Sequence, residues 1–84
     1  MKRLIEDTQD GLEGLMGSRI TIFSLNYIYT GKLVGVNDRY VLLNDPAIVY
    51  ETGSFSDPNW KDAQTLPNEL FVMLACIEAF GVVK

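Results

Sequence analysis

The spacing of apolar residues along the chain changes once, at Ser18. Before it, Leu12, Leu15 and Met16 fall at i, i+3 and i+4, with Thr8 or Asp10 placed to cap and Gly17 to stop. This spacing predicts a helix over residues 8–16. Gly11 and Gly14 weaken such a helix, so it needs a surface to lie on, and one open end of a barrel would serve. Residues 1–7 are mostly charged and are expected to be loosely ordered. After Ser18 the period is two. Ile20, Thr21, Ile22 and Phe23 mark a strand over 19–25, and residues 29–36 a second, bent at Gly35. Asn37-Asp38-Arg39 reads as a tight turn. Residues 40–50 read as a third strand, in which Pro46 demands an edge, a bulge or a bend. Residues 52–67 are rich in turn formers and predict a long loop. Residues 68–74 and 76–83 complete the set as a fourth and a fifth strand with a very short turn near Ala75. The expected fold is mostly β: a small barrel over residues 18–83, made of five strongly bent antiparallel strands behind a short N-terminal helix.

Size changes this picture. The 84 residues suffice for one domain. A domain this small buries only ~60% of the surface of its unfolded chain and usually needs a supplement. Cys76 is the one cysteine and there is no histidine, so neither an internal disulfide nor a zinc pattern is available. Self-association remains. It also explains the segment from Leu70 to Ile77, which is apolar on both expected faces. An uncovered strand of that kind would aggregate, so Phe71, Val72, Met73, Cys76 and Ile77 are the candidate seam of a homo-oligomer. Cys76 itself reads as a buried packing residue.

Charge and chemistry narrow the function. The net charge of −4 disfavours a dedicated non-specific nucleic-acid binder, which would show an excess of Lys and Arg. No apolar run approaches the ~18 residues of a membrane span, and the N-terminus lacks the apolar stretch of a signal peptide, so a cytoplasmic protein without a membrane partner is expected. The acidic residues show no metal-loop spacing. With no histidine, no activated nucleophile and no Gly-rich phosphate loop, neither an enzyme nor a bound cofactor or metal is expected.

The chain resembles the Sm-like family of ring-forming small barrels, which includes the Sm and Lsm proteins and Hfq. Gly31, Leu33 and Asn37, followed by Tyr40, Val41, Leu42 and Leu43, match the spacing of that family's first motif. Residues 71–80 are similar in length and apolar pattern to its second. More narrowly, the chain looks like small Sm-like proteins of marine phage, especially cyanophage, origin. The resemblance implies an SH3-like barrel, a homo-oligomeric ring closed by pairing of the fourth and fifth strands, and single-stranded RNA as a partner. It also implies where RNA would sit. The base-stacking position falls on Arg39, whose guanidinium plane can stack. The position that reads the base edge falls on Val41, which has no donor or acceptor. The basic pair of the second loop is replaced by Met73, Leu74 and Ala75. The family's uridine pocket is therefore altered or lost.

Two candidate sites follow. Asn37, Arg39 and Tyr40 are candidate RNA contacts, against the plain reading of a hairpin turn. Phe55, Trp60 and Lys61 in the long loop are candidate contacts for a protein partner, against the reading that Trp60 shields a barrel end. The first favours an RNA-associated ring, the second an assembly scaffold that binds no nucleic acid. A monomeric barrel gripping Pro-rich peptides on Tyr27, Tyr29 and Trp60 is a third reading, and the apolar seam opposes it.

Overall fold

The elements follow the chain's alternation of apolar and polar positions closely from Ser18 to Tyr50. The computed structural model describes residues 2–84. Six antiparallel strands form one sheet: β1 (Arg19–Ser24), β2 (Ile28–Val36), β3 (Tyr40–Glu51), β4 (Asp62–Thr65), β5 (Leu70–Met73) and β6 (Ile77–Gly81). The strand order is β4-β3-β2-β1-β6, and β5 pairs with β3. The first half of β3 carries β5, with Val41 opposite Val72, and its second half carries β4, with Val49 opposite Ala63. No helix among the described residues is long and apolar enough to cross a membrane.

The bend in β3 lets one strand serve two partners. The pairing of β2 with β3 slips between Thr30 and Lys32, opposite the segment from Asn44 to Ala47. Asp45 there takes φ +48° and Pro46 is buried. Proline has no N–H to leave unpaired, so a bulge accommodates it. The Arg19 guanidinium donates to the Asp45 carbonyl at 3.0 Å and fixes the turn of the backbone. Gly31 sits against this corner. A Cβ at that position would lie 3.0 Å from Leu43 Cβ and 3.3 Å from Pro46 Cα, so the close approach requires glycine.

One side of the bent sheet holds the core: Ile20 and Ile22 from β1, Leu33 from β2, Val41 and Leu43 from β3, and Val72 from β5. Leu12 and Leu15 pack against it from the N-terminal segment, as expected of a covering element. On β1 and β2, Thr21 and Thr30 face each other across the ladder, and both are buried. The Thr30 hydroxyl donates to the Ile20 carbonyl at 2.9 Å, whereas the Thr21 hydroxyl has no partner among the described residues.

Four expectations change. The helix over 8–16 is one α-turn, α1 (Asp7–Asp10), and one 3-10 turn at Glu13–Leu15. Gly11 ends α1 in an extended conformation, the behaviour its low helix propensity favours. The strands number six, because the expected loop over 52–67 contains β4. All four β4 side chains are exposed, so the strand is held by its ladder to β3 and shows no apolar face in the sequence. The apolar run 70–77 is interrupted by a 3-10 turn at Leu74–Cys76, which lifts Cys76 off the strand and exposes it. Finally, the sheet does not close: β5 pairs only with β3, and β6 only with β1.

Candidate functional site

Three surfaces collect the candidate residues. The first is the turn between β2 and β3. The Asn37 side-chain oxygen accepts the backbone N–H groups of Arg39 at 2.8 Å and Tyr40 at 2.9 Å. The Asn37 N–H donates to the Tyr40 carbonyl at 3.1 Å. Asn37 thus closes an Asx-type turn with its side-chain acceptor, and that atom is engaged by the backbone. The fold does bring the other two candidates together. The Arg39 guanidinium carbon lies 5.5 Å from the Tyr40 ring centroid, within cation–π range. Tyr40 in turn meets Phe71 edge-to-face at 5.2 Å and 83°. The Arg39 carbonyl accepts the Leu74 N–H at 2.8 Å, tying the turn to the segment between β5 and β6. Val41, the next residue along β3, is fully buried in the core.

The second surface is the loop joining β3 to β4. Gly53 turns the chain with φ +67°. The Ser54 and Ser56 hydroxyls are hydrogen-bonded at 2.7 Å, and the Asp57 carboxylate accepts the Asn59 N–H at 2.9 Å. Phe55 and Trp60 meet edge-to-face at 6.3 Å and 88°. Between them stands Lys84, a residue the sequence reading left unassigned. Its ammonium donates to the carbonyls of Thr52 at 2.6 Å, Ser54 at 2.9 Å and Asn59 at 3.0 Å. It lies 4.5 Å from the Trp60 ring centroid and 5.4 Å from that of Phe55. Lys61 points elsewhere, to Glu51 at 3.3 Å, with both side chains well exposed. The three loop candidates therefore do not act as one group. Phe55 and Trp60 share a cation, and Lys61 belongs to an exposed ion pair of little energetic weight. Two aromatics in one polar loop were the available signal, but nothing in the sequence tied Lys84 to them.

The third surface is the pair of sheet edges. Phe71 is 59% exposed and Met73 52%, whereas Val72 between them is 5% exposed. This is ordinary strand alternation, and it corrects one seam assignment: the Val72 side chain belongs to the chain's own core. Ile77 is half-buried against that core, and Cys76 is exposed beside it. A cleft of about 220 Å³ runs between β5 and the turn from β1 to β2, lined in part by Tyr27, Tyr29, Phe71, Met73 and Cys76. Burial in this cleft pushes the Tyr29 phenol above its usual value. Among the described residues no three His, Cys, Asp or Glu side chains group as metal ligands. Comparison with protein-family models, curated proteins and solved structures finds no match.

Proposed function

We propose that this chain is a self-assembling module of the Sm-like kind, whose copies join the free edge of β5 to the free edge of β6 and close into a ring. The observation that carries the reading is that β5 and β6 each have one partner among the described residues and so a free edge, and β5 bears Phe71 and Met73 in the open. An exposed apolar edge strand is a template for pairing. Because the two edges are different strands, their contact is head-to-tail, and head-to-tail contacts form rings where the rotation closes. Phe71, Met73, Cys76 and Ile77 form the seam, and the ring acts as an assembly scaffold.

A second reading places single-stranded RNA on the same ring. The exposed Arg39 beside Tyr40 favours it, since a guanidinium over an aromatic face offers stacking and charge together. Repetition around a ring would multiply a weak contact. Against it stand the net charge of −4 and the absence of any basic residue between Leu70 and Ile77.

One set of samples tests both. The solution mass of the unaltered protein and of Phe71→Glu is measured by light scattering, with a fluorescent uridine-rich and an adenine-rich RNA titrated at low salt. An oligomer that Phe71→Glu reduces to folded monomer supports the seam, and a folded Phe71→Glu oligomer of unchanged mass refutes it. RNA binding that falls steeply with salt and is lost in Arg39→Ala supports the second reading. An oligomer that binds neither RNA leaves the scaffold alone.

A further inference from the structure

We infer that the loop from Thr52 to Trp60 is a receptor for a primary alkylammonium, the chemistry of a lysine side chain, and that Lys84 fills it from within the same chain. The argument is a match of donors to acceptors. A lysine ammonium has three N–H groups and no acceptor. The loop aims three backbone carbonyls at one point, at 2.6, 2.9 and 3.0 Å from the nitrogen. Two aromatic rings, perpendicular to each other, flank the same point. Carbonyl dipoles and ring faces both present negative potential, so the loop satisfies a cation by hydrogen bonding and by cation–π attraction at once.

The loop's own bonds hold the acceptors in place. The Ser54 carbonyl also accepts the Asp57 N–H at 3.1 Å, the Thr52 carbonyl accepts the Lys61 N–H at 3.4 Å, and Gly53 between them takes a φ of +67°. The ligand class follows from the count. A quaternary ammonium would keep the ring contacts but leave the carbonyls without donors. An acetylated lysine would lose the charge and most of the donors. The receptor thus differs from an all-aromatic cage, which prefers methylated amines. A tethered ligand acts at an effective concentration of roughly millimolar, so Lys84 outcompetes a dilute external amine. The site opens when Lys84 is withdrawn or truncated, and the lysine side chain of another polypeptide then fits it.

Trp60 is the only tryptophan, so fluorescence excited beyond the absorption of the four tyrosines reads this site alone. The test is a titration of Lys84→Ala protein with n-butylammonium chloride and, separately, with butyltrimethylammonium chloride at matched ionic strength. The expected result is a saturable change with butylammonium. Binding of the quaternary ion should be at least ~10-fold weaker, since even one lost charge-assisted hydrogen bond is worth that factor. A non-saturating response to butylammonium, or equal potency of the two ions, overturns the receptor and leaves Lys84 a mere latch. The unaltered protein gives an independent reading. Its Lys84 ammonium protons should be visible in cold proton–nitrogen spectra, protected by the three carbonyls. Exchange as fast as at the exposed Lys32 would equally overturn the proposal.

Discussion

Thr21 and Thr30 offer a controlled measurement of what an unpaired buried hydroxyl costs this sheet. They are cross-strand partners, and both are buried, at 0% and 2% exposure. Both are β-branched, so replacement by valine leaves strand propensity and side-chain stiffness nearly unchanged. Each replacement exchanges a hydroxyl for a methyl in the same surroundings, and the gain from the added apolar group is common to both. What differs is hydrogen bonding. Thr30 gives up its bond to the Ile20 carbonyl, a net loss of about 0.5–1.5 kcal/mol. Thr21 gives up nothing, because its hydroxyl has no partner, and relief of that desolvated group returns about 1–3 kcal/mol. Thr21→Val should therefore exceed Thr30→Val in stability by at least ~1.5 kcal/mol, and should exceed the unaltered protein as well. For a domain of this size each kcal/mol moves the melting midpoint by about 4–8 °C. Calorimetry and urea titration must be run at one protein concentration, because self-association would shift the midpoint by mass action. Single variants are compared, since touching residues need not be additive. A Thr21→Val protein no more stable than Thr30→Val would refute the reasoning and mean that the Thr21 hydroxyl is satisfied in solution.

Other perturbations test other parts of the fold. Gly31→Ala should cost about 1–3 kcal/mol by overpacking, read as a lower melting midpoint, because its Cβ would crowd Leu43 and Pro46 at the corner of β3. Val72→Asp should unfold the chain rather than merely divide an oligomer, with loss of the far-ultraviolet strand signal, since it puts a carboxylate into the core. At the N-terminus, the Glu6 backbone N–H at 3.0 Å and then the Arg3 guanidinium at 2.6 Å hold the Asp10 carboxyl below its ordinary value of 3.8. The ordering of this turn is thus present above the ordinary carboxylate range and lost as pH falls through the lowered value. Arg3→Ala should raise the Asp10 value, seen by carbon NMR titration, with no measurable change in the melting midpoint, because the pair is a surface one.

The strands that bury one face were legible in the sequence. β1, β2 and β3 lie within a residue or so of the positions that alternation marks, and Pro46 sits at the bulge its missing N–H demands. The misses share a physical cause. β4 is held by backbone bonds alone, so its side chains carry no record of it. The 3-10 turn at Leu74–Cys76 lies within an unbroken apolar run, where periodicity has no contrast to report. Val72 read as seam because alternation cannot tell one buried face from another. At the candidate sites, Asn37 was recognised as a turn former, and Arg39 and Tyr40 do adjoin. Lys84 was invisible because its contacts span 25 to 32 residues, and a lone lysine has no pattern.

The bent β3 is the common partner of β2, β4 and β5. Once β3 lets go, β4 and β5 lose their only ladder, β2 keeps only β1, and Ile20 and Ile22 of β1 lose Val41 and Leu43 from the core they share. Local opening in this chain should therefore be confined to the margins. Amides of the wholly exposed β4 should exchange early with solvent, while those linking β2 to β3 exchange only when the whole sheet comes apart. The slowest exchange should therefore lie along β3, where it would report the global stability of the sheet.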